Sequence, residues 1–163
     1  MAFTVSNYAG APGIATKDTT QKCPLGTIVR GVDPTYGEGE FIYLKGVAST
    51  IAGSVVEYNT SFQSGLASSA LNAPVPNAVA MTTTTASYYG CYQISGLAQV
   101  AKLSTTSFAA DAHFAASAGL AIAAATGLHL EGAVVAVVSS AVSVTAPDLV
   151  TAVIQRPHGP SSS

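Results

Sequence analysis

From Tyr58 to Ala101 the chain runs without a single Asp, Glu, Lys or Arg, and this run constrains the fold more than any other feature. The next stretch is little richer, since from Leu103 to Gln155 the only formal charges are Asp111, Glu131 and Asp148. Over the whole chain 9% of residues are charged and 48% are apolar, against roughly 25% charged in an ordinary domain. Disordered chains combine low hydrophobicity with high charge, so this composition points to a packed core. An isolated soluble protein relies on surface charge to stay dispersed. A surface this poor in charge is expected to be covered in large part by other protein, most simply by further copies of itself.

The same counts exclude several classes of protein. The six basic residues, Lys17, Lys22, Arg30, Lys45, Lys102 and Arg156, are scattered, and the net charge is -2, so no basic patch forms a phosphate footprint and no nucleic-acid partner is expected. Residues 114–128 are mostly Ala and bracketed by His113 and His129. They are too short and too weakly apolar for a spanning helix, which needs about 20 apolar residues. The opening Met-Ala-Phe-Thr-Val-Ser has neither the basic nor the apolar region of a signal peptide, so synthesis in a cytoplasm is expected. Cys23 and Cys91 are then expected as reduced thiols, one pair being no disulfide framework for 163 residues.

A chain of 163 residues fits one domain. Residues 1–22 are small and polar, broken by Gly10, Pro12 and Gly13, and predict an extended N-terminal arm with Phe3, Val5 and Tyr8 as apolar anchors for a neighbouring subunit. A single β domain is expected over 23–156 and a flexible tail over 157–163. Strands are expected at Thr27–Arg30, Glu40–Lys45, Gly53–Tyr58, Ala78–Thr84 and Tyr88–Ser95, with turn chemistry at Asp33-Pro34 and Gly37 to Gly39. The last of these strands places Tyr88, Tyr92 and Ile94 on one face and Tyr89, Cys91 and Gln93 on the other. Ala propensity favours a helix over Ser107–Gly127. The alternation of Phe114, Ala116, Ala118, Leu120 and Ile122 with smaller residues instead predicts strands, as do the Val-rich stretches Ala133–Val144 and Leu149–Gln155. About nine short strands without a long amphipathic helix define an all-β fold, a small β-barrel or β-sandwich with its extended arm.

Little in the sequence carries chemistry. There is no phosphate-binding loop, paired-Cys zinc pattern or nucleophile elbow, and no Ser or Thr has a His and helper carboxylate in any motif, so no enzyme and no cofactor is expected. Asp111-x-His113 and His129-x-Glu131 are the candidates for a metal site, because antiparallel pairing of His113 with His129 would also oppose the two carboxylates. The hairpin this needs would turn near Ala121, where no turn residues stand. These four polar residues read more simply as solvated strand ends, and Thr82–Thr85 as an exposed strand edge.

Pro24-Leu25-Gly26-Thr27-Ile28-Val29-Arg30-Gly31 and Asp33-Pro34-Thr35-Tyr36-Gly37-Glu38-Gly39-Glu40-Phe41-Ile42-Tyr43-Leu44-Lys45-Gly46-Val47 resemble a family of tailed-bacteriophage auxiliary head proteins of the decoration or cement type. Further matches are Gly53–Tyr58, Ala78–Met81, Tyr89–Gly96 and Ile154–Pro157, with Cys91 standing where the family pattern often carries tryptophan. The resemblance implies a virion protein on the capsid exterior, whose homotrimers bridge major capsid proteins against internal pressure. It brings no catalytic residue. Tyr36, within the most distinctive block, joins Phe3, Val5 and Tyr8 as an expected contact with capsid or neighbouring subunit. The alternative is a spike or fibre module binding a host glycan through Tyr36, Tyr43, Tyr88, Tyr89 and Tyr92.

Overall fold

The structure is a computed structural model that describes residues 4–5, 12–68, 74–125, 128–141 and 147–159. Its strands are β1 (Thr4–Val5), β2 (Lys17–Asp18), β3 (Ile28–Asp33), β4 (Gly37–Lys45), β5 (Val55–Tyr58), β6 (Ser64–Leu66), β7 (Asn77–Ala80), β8 (Tyr89–Lys102), β9 (Phe114–Ser117), β10 (Leu120–Ala123), β11 (Glu131–Val135) and β12 (Asp148–His158). The fold is all-β, with no helix among the described residues.

β8 is the spine of the sheet. Gly90 pairs with Leu44 and with Lys17, Tyr92 with Ile42 and with Ala80, and Ser95 with Glu40 and with Gln155. A strand residue has two hydrogen-bonding edges, so β4 lines one edge of β8 while β2, β7 and β12 follow one another along the other. The change of neighbours falls at Ser95 and Gly96, where Gly96 has φ +104 and a Cβ would lie 2.4 Å from the Glu38 carbonyl oxygen. Among the described residues the pairing is antiparallel apart from one parallel pair, Ala121 with Lys102, and the isolated parallel bridge of Lys45 and Gln63. The path from β1 to β6 ends without closing on itself, so the sheet is not a barrel. Sequence alternation reports which faces are buried and carries no information on whether the outermost strands meet.

Three clusters make the core. Tyr92 and Ile94 pack with Ile42, Leu44, Val56 and Ala78 on one face of β8, and Cys91 packs with Ile14, Cys23, Val29, Phe41, Tyr43 and Met81 on the other, as the alternation predicts. The third joins Ala98, Val100, Ala133, Val135, Val150, Ala152 and Ile154 with Phe114. The Ala-rich segment is strand: β9 and β10 form a hairpin whose turn residues Ala118 and Gly119 have φ 48 and 79. Two successive positive φ values define the turn whose twist suits a hairpin. Tertiary packing of Phe114, Ala116 and Ala121 thereby overrides helix propensity.

Both chain ends depart from expectation. Ile14 is 2% exposed in the core and Lys17–Asp18 pairs with β8. The Tyr43 hydroxyl accepts from the Lys22 amide and donates to Asp18, each at 3.2 Å. Residues 12–22 are thus bound into the domain. Val5 pairs with Gly31 of its own chain, while Phe3 and Tyr8 lie outside the described residues. At the other end β12 continues to His158 and the Gly159 amide donates to the Val75 carbonyl, so residues 157 and 158 extend a strand where a tail was expected. Deleting residues 1–11 is expected to leave the domain folded. Deleting 1–22 also removes Ile14 and is expected to cost about 2–4 kcal/mol, read from urea unfolding curves of the two truncations.

Candidate interaction surface

β12 lies between β8 and β11, and its residues alternate between two environments. Val150, Ala152 and Ile154 point into the third core cluster, while Leu149, Thr151, Val153 and Gln155 point outward. The register builds outward rows across the strands: Val134 beside Val153 beside Leu97, then Thr151 beside Gln99, then Leu149, whose neighbour Ala101 is fully buried. Leu149 is 49% exposed and Val153 44%. No residue of these rows carries a charge. Gln99 Nε2 donates to Thr151 Oγ1 at 2.6 Å, so the central polar row is already bonded within the chain. Beyond β11, Val137 and Val138 are exposed and continue the apolar character.

Ion pairs stand at both ends of β12. At one end Lys102 Nζ lies 3.2 Å from Asp148 Oδ2 and donates to the carbonyls of Thr106 and Ser140. At the other, Arg156 Nη2 reaches Glu40 Oε2 at 2.8 Å while Arg30 holds Oε1 of the same carboxylate. Burial alone would raise the Glu40 pKa, but the two guanidinium groups pull it below the ordinary carboxylate value. Asp148 is also lowered, by the Leu149 amide first and Lys102 second. A carboxylate whose folded pKa is depressed stabilises the fold above its unfolded pKa and ceases to do so as pH falls through the folded value. Stability is therefore expected to be level from about pH 7 to 5 and to decline below about pH 4. Denaturant midpoints against pH check this, and Glu40→Gln should flatten part of the acid limb.

The expected metal ligands come together only in part. The His113 and His129 rings lie 4.7 Å apart between centroids, and His129 Nε2 is 3.3 Å from Glu131 Oε1. Asp111 instead sits at a positive φ with its amide bonded to Val135. Among the described residues no group of three such side chains is arranged to hold a metal. His113 is bridged to Val134 of β11, so it does not pair with His129 in the register that a hairpin metal site requires.

Other expected positions are more deeply engaged than their sequence suggests. Tyr36 is half-buried beside Ala52, Met81, Gln99 and Leu149, at the margin of the uncharged face. Thr84, within the four threonines, is buried, hydrogen-bonded to the Tyr92 hydroxyl and bridged to Thr50, so that run is not wholly an exposed edge. Cys23 and Cys91 are free and buried, and burial pushes the Cys91 thiol up to about 12. Sequence reasoning missed the outward face itself. Its signal was present in Leu149–Gln155, where the residues alternating with Val150, Ala152 and Ile154 are as uncharged as those they alternate with.

No protein-family model matches the chain, and no curated protein matches it in sequence.

Proposed function

We propose that the protein is a non-enzymatic structural subunit, a decoration or cement protein on the outside of a tailed-phage head, acting as a homotrimer that bridges major capsid proteins. The observation that carries this reading is the uncharged outward face of β8, β12 and β11, with Leu149 and Val153 open to solvent and the Arg156–Glu40 pair at its edge. An apolar centre with a polar rim is the anatomy of a protein contact surface. The resemblance over residues 24–47 supplies the kind of assembly. A glycan-binding module draws less support, because none of the described Tyr and Phe side chains is exposed enough to offer an open stacking platform.

The test is co-sedimentation of the purified protein with assembled shells and, separately, with dissociated capsid subunits. Binding to shells alone is expected, and it should change little with added salt, since apolar burial drives it. Equal binding to dissociated subunits, or release from shells by salt, contradicts the reading.

A further inference from the structure

We infer that the outward face of β8, β12 and β11 is the surface through which one copy of this chain packs on a second copy. The inference rests on the assembly reading above and names the partner of its surface. Its premise is the chemistry of the rows Val134, Val153 and Leu97, then Thr151 and Gln99, then Leu149. A partner surface bearing Lys, Arg, Asp or Glu would lose the hydration of those charges here and find no counter-charge in return. The fitting partner is equally free of charge, and the chain's own face meets that condition. Two such faces approach without like-charge repulsion, and because a face packed on its own copy makes a two-fold pair, this contact joins copies of neighbouring trimers and does not build the trimer.

The polar groups in the middle add little to the cost of drying the face. Gln99 and Thr151 already bond to each other, so closing a second sheet over them strands fewer donors than an unpaired amide would. Arg156, which pairs with Glu40 at one end of β12, keeps contact with water.

Size sets the expected strength. β8 and β12 pair over eight residues, so three strands make a face of about 27 Å by 14 Å. That is roughly half of the ~800 Å² per partner in a standard stable interface. The contact is therefore reversible in solution and strengthened where a shell holds copies side by side.

Sedimentation from about 1 to 100 µM tests it, a range that spans weak to moderate affinities. The wild-type mass should rise with concentration. Val153→Lys, and independently Leu149→Asp, should weaken association at least about tenfold, equivalent to 1.4 kcal/mol. Ile28→Lys, on an exposed position of β3, should leave it unchanged. Two face variants guard against misfolding of one, each checked by its thermal transition. A wild type monomeric throughout, or folded face variants that associate as the wild type does, overturns the inference. A wild type that associates through this face yet fails to bind shells would reject the functional reading and leave this one standing.

Discussion

Lys102→Met should lower the unfolding free energy by about 3–5 kcal/mol, the range found when one partner of a buried ion pair is removed. The ammonium is 0% exposed and holds three groups from separate segments: the Thr106 carbonyl, the Ser140 carbonyl and the Asp148 carboxylate. Methionine keeps most of the volume, so the loss measures the unpaired carbonyls and carboxylate more than a cavity. At roughly 2–4 °C per kcal/mol for a chain of this size, the melting temperature should fall by about 6–20 °C. Asp148→Asn leaves the two carbonyl bonds in place and should cost distinctly less. Thermal unfolding of both variants decides the matter. A shift of under about 2 °C for Lys102→Met would show that the ammonium does not tie these segments together.

Gly96→Ala should be comparably damaging, for a reason in the backbone. At φ +104 an L side chain is strained wherever it stands, and here its Cβ would also fall 2.4 Å from the Glu38 carbonyl oxygen and 3.2 Å from Gly39 Cα. Both are main-chain atoms of β4, so relief requires moving the β4–β8 pairing at the point where β8 passes to β12. A loss of about 3 kcal/mol or more is expected. Gly37→Ala is the control, because Gly37 has φ +72 and nothing within 4 Å of a Cβ. It should cost only about 1–2 kcal/mol of backbone strain. Equal losses for the two variants would show that the close approach of β4 contributes nothing.

These two positions also mark what could not be read from the sequence. The all-β class and the opposite facing of Tyr92 and Cys91 follow from period-two alternation, a local property. Gly96 looks like any strand glycine, and its role depends on β4 and β12 meeting β8 around the same two residues, a pairing between segments more than 50 residues apart in sequence. Lys102 reads as the end of an uncharged run. Its burial depends on the carbonyls of Thr106 and Ser140 closing over it. Ile14 was hidden among small polar residues, and one apolar side chain carries no periodicity. The hairpin turn at Ala118 was obscured because alanine does not announce a positive φ, though the Gly119 beside it was a signal. His113 and His129 were correctly associated, while the register separates Asp111 from them, because His113 meets β11 at Val134 and not at His129.

In the proposed cement role the protein adds cohesion to an assembled shell. A cement protein binds the shell and not its separated parts, so it stabilises the shell by an amount that grows with the logarithm of its free concentration over its dissociation constant. The direct measurement is the temperature at which the genome is released from particles as isolated, after stripping of this protein, and after it is added back. Stripped particles should release at a lower temperature, added protein should restore the original value, and both results should hold at low and high salt. Identical release temperatures for stripped and decorated particles would contradict the account.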